Sequence, residues 1–337
     1  MTGTRRTHAI ALFSGGLDSC LAVLLMLRQD IEVTALTFMT HFGCDLQDRS
    51  SCSHNPYPAA EKFGFTVKLM QLGQDFVDLV RNPKFGHGKN MNPCIDCRIL
   101  MLRRAKEYLE DVGADVVITG EVLGQRPFSQ MRDKMFLTMR EAGLRGRLLR
   151  PLSARLLEPT IPELTGLIDR EQLEGISGRS RHTQLALAKE FGLEDFPSPA
   201  GGCLLTEPDF SRKLRDLFTH QATVTFSDLN LLRVGRHFRS SPRTRIIVGR
   251  NQPDNEKLLG NIQPGDLVCE VKGVGSPITL VRGEISAEAR TMACAMTARY
   301  SDRKNDPEVV VTWTQNGQTG TLPIAPAIAA RLEPLRV

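Results

Sequence analysis

Between residues 8 and 155 the chain alternates two hydrophobic rhythms. A short apolar run at 8–13 predicts a buried strand, because a doubly covered strand has no polar alternation to show, and 32–38, 66–72 and 115–119 predict three more strands. Between them, apolar residues at helical spacing predict helices at 20–28, 58–64, 75–81 and 95–112. In the last of these, Ile95, Ile99, Leu102, Ala105 and Leu109 share one face. Strand and helix in turn predict a doubly wound α/β layer, a parallel sheet with helices on both faces. The stretch 159–191 predicts helical pieces broken at 175–181, 196–202 predicts a turn, and 208–218 predicts a further helix. After about residue 222 short β-branched strands, at 245–248, 267–271, 278–281 and 309–313, accompany helices at 254–259 and 287–300. The pattern predicts two domains, 1–220 and 228–337, the second a smaller α+β unit.

Composition narrows the class. With 41% hydrophobic and 24% charged residues the chain is globular, neither disordered nor membrane-embedded. The longest apolar run, 20–27, falls well short of the roughly 20 residues that span a bilayer. Residues 1–8 are polar and basic with no apolar signal region behind them, so a cytoplasmic protein is expected. Eight cysteines in that setting predict free thiols rather than a disulfide framework. The net charge is +5, and the basic excess falls in the last third, which predicts a polyanionic partner there.

The chemistry begins where the first strand ends, in Ser14, Gly15, Gly16, Leu17, Asp18 and Ser19. Two glycines let the backbone turn tightly and approach a ligand. The helix start then offers N–H groups and its dipole to an anion, and Ser14 and Ser19 add hydroxyls. Asp18 would repel phosphate unless Mg²⁺ stood between them. The lysine of a Walker loop is absent, and so is G-x-G-x-x-G. A Gly-rich turn with a serine cap is the plain alternative. The S-G-G-x-D-S motif at the head of a parallel sheet resembles the PP-loop family, the N-type ATP pyrophosphatases. That resemblance implies a HUP-type fold, ATP held by Ser14, Gly15, Gly16, Asp18 and Ser19, cleavage between the α- and β-phosphates, and activation of a carbonyl oxygen as its adenylate.

Cys94 and Cys97, in Asn92-Pro93-Cys94-Ile95-Asp96-Cys97, sit three apart at a predicted helix start and so share a face. The positive helix end is expected to favour thiolate. Cys203, in Ala200-Gly201-Gly202-Cys203, is a third candidate. N-P-C-x-x-C downstream of a PP-loop is similar to tRNA 2-thiouridylases, and 4-thiouridine synthases share the chemistry. The resemblance implies that Cys94, Cys97 and Cys203 either hold a four-iron four-sulfur cluster or relay a persulfide. A zinc site completed by His182 or Cys52, and a plain buried pair, are the other readings. Cys44 and Cys52 with His41 and His54 could form a second metal group, though their irregular spacing suits a polar loop better.

Gly120, Gln125, Arg126 and Gln130 follow a predicted strand end, where α/β sheets carry ligands. Arg179 and Arg181, among the glycines of 175–181, suit a phosphate or a pyrophosphate leaving group. Residues 122–155 are strongly basic and make a candidate RNA-facing strip. In the second domain Arg233, Arg236, Arg239, Arg243, Arg245 and Arg250 form a run with no acid, and Phe238 could stack on a base. The Val248-Gly249-Arg250-Asn251 segment is similar to the RNA-binding domain of NFACT-type proteins.

Together these features predict an ATP-dependent tRNA sulfurtransferase. Its partners would be tRNA and a sulfur donor, whether a cysteine desulfurase, a sulfur carrier or sulfide. The extra N-terminal RNA-binding modules of 4-thiouridine synthases are not expected, since about ten residues precede the loop. A PP-loop enzyme acting on a small molecule or cofactor, and a non-catalytic RNA-binding protein, are the competing readings. The uridine modified, the choice of its 2- or 4-position, and the oligomeric state are not encoded in any motif.

Overall fold

A computed structural model describes residues 5–42, 54–196 and 203–337. The chain divides into two compact units, Met1–Glu207 and Pro208–Val337. Cys44, Cys52 and most of the expected 196–202 turn lie outside the described residues.

In the first unit the order is β1 (His8–Leu12), α1 (Leu17–Leu27), β2 (Glu32–Met39), α2 (Tyr57–Phe63), β3 (Thr66–Gln71), α3 (Gln74–Arg81), α4 (Cys94–Val112), β4 (Val116–Thr119), α5 (Arg132–Glu141), β5 (Leu148–Leu149), α6 (Ile161–Leu164) and α7 (His182–Glu190). The strands form one parallel sheet, β3-β2-β1-β4-β5. The expected parallel layer is therefore borne out. Strand β1 is its hinge: it pairs with β2 on one side (Ile10 with Thr34) and β4 on the other (Ile10 with Val117). Successive connections thus leave β1 in opposite directions, which opens a crevice between the carboxyl ends of β1 and β4. The core explains the apolar runs. Ala9, Ile10, Val116, Val117 and Ile118 are buried, as are most residues of α1.

Helix α1 starts at Leu17, three residues earlier than the sequence pattern predicts, because Gly16 is its N-cap and accepts from the Cys20 N–H at 3.0 Å. Helix α5 and the two-residue β5 carry too weak a periodicity to be expected.

The second unit holds α8 (Pro208–His220), α9 (Phe226–Leu231), β6 (Arg236–Ser241), β7 (Thr244–Val248), α10 (Gln252–Leu259), β8 (Leu267–Glu270), β9 (Thr279–Gly283), α11 (Ala287–Arg299), β10 (Val309–Gln315), β11 (Gln318–Ile324) and α12 (Ala329–Leu332). Its six-stranded sheet runs β11-β10-β8-β9-β7-β6 with every pair antiparallel. Alternate residues of β7 feed two cores: Ile246 and Val248 pack with α11, while Ile247 packs with Leu231, Leu258 and Leu280. Helix α8 counts with this unit, so the division falls ahead of the 220–228 stretch where the texture of the sequence changes. Among the described residues no helix is long and apolar enough to cross a membrane.

Candidate functional site

The loop after β1 is built around two close backbone approaches. Gly15 has φ +73, and a Cβ there would lie 3.0 Å from the Cβ of His54, whose N–H donates to the Ser14 carbonyl at 2.9 Å. Gly120, just past β4, is tighter still. A Cβ there would stand 2.5 Å from the carbonyl carbon of Asp18 and 2.6 Å from the Ser19 nitrogen. The loop after β4 therefore touches the first turn of α1 backbone to backbone, at the crevice the topology opens. No side chain caps α1, so its first amides are offered to an anion. The Ser19 hydroxyl donates to Gly16 O at 2.8 Å and lies 3.3 Å from the hydroxyl of exposed Ser14.

Asp18 carries the clearest chemical signal. Gln125 Nε2 donates to its Oδ2 at 2.9 Å. Its Oδ1 and the Oε1 of Gln125 are buried with no hydrogen-bond partner. Two partnerless acceptors side by side are costly unless a cation or a ligand donor completes them. The donor set and the open amides beside it fit a magnesium–phosphate ligand.

The segments that carry the candidate thiols come from distant parts of the sequence and meet through the backbone. Cys94 is the first residue of α4 and Cys97 lies one turn on, both half-buried. Between them Asp96, buried, accepts from the backbone N–H of Lys84 and Phe85 at 3.0 Å each, fixing the approach to the helix. Cys203 opens a tight turn in which the Thr206 N–H and hydroxyl both donate to its carbonyl. That turn is tied to the segment just before Cys94: Met91 N–H donates to Leu205 O at 3.0 Å and Asn90 Nδ2 to Thr206 O at 2.7 Å. The backbone thus carries Cys203 to the entrance of α4.

One expectation needs correction. Burial pushes the Cys94 thiol above its usual value of 9.0, outweighing Arg126, Arg98 and a bond from Asn92; the helix start does not make it a thiolate. Among the described residues, no three or more His, Cys, Asp or Glu side chains make a metal-holding group, and this covers Cys94, Cys97 and Cys203 as they stand.

A buried ion-pair cluster absent from the sequence reading joins the two halves of the site. Glu121, 3% exposed, receives Arg98 of α4 at 3.3 Å, Arg150 beyond β5 at 3.1 Å and the Thr119 hydroxyl at 3.1 Å. Burial alone would raise its pKa, but Arg98 and Arg150 outweigh that and hold the carboxyl below the usual range. Arg98 lies one turn after Cys94, so Glu121 fixes the thiol helix against the Gly120 wall. Arg150 is accordingly spent inside the protein and leaves the expected RNA-facing strip. No local motif marks these three residues, since their meaning lies in tertiary contact.

The 175–181 segment also reaches the site. Gly178 N–H donates to Leu123 O at 2.8 Å, two residues before Gln125, and Leu123 bridges Ser177. Arg179 is exposed there. At the other end of α7, Glu190 meets Arg28 at 3.4 Å and Phe191 lies under the same guanidinium, so α7 runs alongside α1 with carboxyl ends together. The start of α7 therefore faces the loop end of α1. Gln184, one turn into α7, is fully buried with both amide atoms unpartnered.

In the second unit the arginine run folds into ion pairs that the linear sequence hides. Arg239 pairs with Asp216, Arg243 with Glu284 at 2.5 Å, Arg245 with Asp228 at 2.7 Å and Arg250 with Asp254 at 2.6 Å. Arg236 stacks on Tyr300 at 4.7 Å. Arg243 and Arg250 are exposed and Arg233, Arg236 and Arg239 partly so. Arg245 is buried, which corrects its expected place on an open RNA surface, and Phe238 is in the core rather than free to stack on a base.

Comparison with known proteins divides the chain in the same way. Residues 4–155 match the family described as thiamine biosynthesis protein (ThiI), and residues 235–334 match the NFACT protein RNA binding domain. The expected pairing of a PP-loop thiolation-type segment with an NFACT-like domain is borne out. A tRNA-specific 2-thiouridylase MnmA from Methylobacterium nodulans is 28% identical over 131 residues, 36% of this chain and 34% of that protein. A probable tRNA sulfurtransferase from Methanosarcina acetivorans is 29% identical over 132 residues, 34% of this chain and 28% of that protein. The chain thus spans about a third of the length of these relatives. A solved 4-thiouridine synthetase–RNA complex with bound ATP aligns at a TM-score of 0.35 and 20% identity, over 56% of this chain and 52% of that one, a likeness too distant to argue from.

Proposed function

We propose that the chain is an ATP-dependent tRNA sulfurtransferase, with chemistry in the first unit and RNA contact in the second. The observation that supports this reading is the joint between Met91 and Leu205, which ties the segment that follows Cys203 to the segment ahead of the Cys94 helix. That helix is in turn anchored through Arg98 and Glu121 to the wall of the phosphate loop.

ATP lies with its phosphates on the amides of Gly15, Gly16 and Ser19, and Arg179 reaches the departing pyrophosphate. Magnesium held by Asp18 would neutralise phosphate charge there. The uridine carbonyl oxygen attacks the α-phosphorus, the α–β bond breaks and pyrophosphate leaves. A persulfide on one of Cys94, Cys97 and Cys203 attacks the activated ring carbon with its outer sulfur, and AMP departs with the former carbonyl oxygen; a second of these thiols then attacks the inner sulfur, so that the S–S bond to the base breaks, a protein disulfide forms and thiouridine leaves. Fixed amides aimed at the phosphates supply most of the first step. A persulfide on a desulfurase or a carrier supplies that sulfur by transfer to the thiol, and an external thiol reduces the disulfide afterwards; free sulfide would instead attack the activated carbon directly. Iron and labile-sulfide content after anaerobic purification separates a cluster from a persulfide. Arg233, Arg236, Arg243 and Arg250 supply contacts to the RNA backbone, and the matched RNA-binding domain supports that role.

The test is ATP–pyrophosphate exchange with and without tRNA. Exchange that requires tRNA supports the proposal. Full exchange without RNA assigns a small-molecule substrate instead.

A further inference from the structure

Three arginines stand abreast across the second sheet. Arg239 on β6 pairs in register with Arg245 on β7, and Arg245 with Arg282 on β9. Like charges directly opposite one another on a sheet are destabilising, so the row demands compensation. Acids provide part of it: Asp216 holds Arg239, Asp228 holds Arg245 at 2.7 Å and Arg282 at 3.1 Å, and Asp266 holds Arg282 at 2.7 Å. They do not use up the donors. Arg245 is 3% exposed, yet its Nε and Nη1 are buried with no hydrogen-bond partner.

A cavity of about 260 Å³ opens on the row, lined by Arg239, Arg243, Arg245 and Arg282 together with His220 and Glu284. Glu284 is the one acid among its described lining residues, and it is tied to exposed Arg243. Burial brings the Arg245 pKa down to about 10; Asp228 opposes the fall, while Arg282 and Arg239 add to it, a sign that positive charge is crowded at this point. The Nε and Nη1 atoms of Arg245 lie behind this lining, out of solvent contact, and a cavity walled by four arginines suits an acceptor-only, multiply charged group of compact shape.

We propose that this cavity is a phosphate subsite, with exposed Arg243 as its direct contact and the row of Arg239, Arg245 and Arg282 as its basic wall. The subsite stands on the geometry alone; that the phosphate belongs to RNA rests on the function proposed above.

The test is calorimetric titration of inorganic phosphate into the full chain, with ionic strength held constant by chloride. Arg243→Glu and Glu284→Gln are titrated beside the wild type. Both positions are exposed, and circular dichroism confirms that the variants fold. The expected result is a phosphate site that Arg243→Glu weakens about tenfold and Glu284→Gln tightens several-fold, separate from any binding at the loop after β1, which both variants leave unaltered. Absence of saturable binding, or equal affinity in all three proteins, overturns the subsite. Anisotropy of a labelled single-stranded RNA gives the source. Displacement by phosphate supports an RNA phosphate in the cavity, and binding of both without competition supports a free phosphate-bearing ligand there. An RNA that fails to bind at all counts against the proposed RNA contact while leaving the calorimetric result to stand.

Discussion

Gly120 shows how little room the site leaves. Its missing side chain admits the backbone of Asp18 and Ser19, and a single methyl would push the phosphate loop off its mark. Gly120→Ala is expected to weaken ATP binding by roughly tenfold or more, because small displacements of a preorganised site are expensive. Nucleotide titration read by intrinsic fluorescence or calorimetry checks this, and unaltered affinity refutes the backbone contact. Cys94 yields a prediction of opposite character. Burial holds its thiol above the usual value, with Arg126 and Arg98 only partly offsetting. Its alkylation by iodoacetamide should therefore be slow at pH 7 and keep rising beyond pH 9.0, the usual thiol value. Arg126→Ala should slow it further, since an opposing positive charge is lost. Mass spectrometry of the labelled peptide follows both, and rapid labelling at neutral pH would restore the thiolate that the helix start alone suggests.

Helix α4 links the thiols to the nucleotide wall, and Glu121 is the joint. Because the folded-state pKa of Glu121 is depressed, its contribution to stability is complete above the unfolded value and is lost as pH falls through the folded one. Glu121→Gln should cost about 3–5 kcal/mol at pH 7, since it leaves buried Arg150 with a neutral partner. The gap to wild type should narrow as pH falls below 4.5, the usual glutamate value. Urea unfolding across that range measures it, and a pH-independent gap contradicts the ion pair. The elements themselves were unequally legible. Strands β1, β2 and β4 and helix α4 show in the sequence because burial on both faces, or a continuous apolar stripe, writes itself into residue type; β3, at the sheet edge, is only partly covered. Strand β6 does not: Arg236, His237, Phe238 and Arg239 look like a basic loop until Asp216 and the core claim their side chains. Strand β11, polar and half exposed at the sheet edge, gives no pattern to find. The phosphate loop was readable from its glycines and its place after the first strand. Glu121, Arg98 and Arg150 were not, because only folding sets them within reach of one another.

At the scale of the whole chain, a parallel α/β unit carrying a phosphate loop and three thiols precedes an antiparallel unit whose arginines are largely balanced by acids. The basic excess of the last third is therefore dispersed among ion pairs rather than gathered in a continuous patch. Such a division of labour makes sense if one unit holds a polynucleotide while the other modifies one of its bases. The account's central claim is most directly tested by mass spectrometry of tRNA nucleosides from a strain lacking the gene, complemented with the wild type, with Asp18→Asn or with Cys94→Ser. The account predicts that one thiouridine disappears, returns with the wild type and stays absent with either variant. An unchanged set of thionucleosides in the deletion strain, or full restoration by both variants, would contradict it.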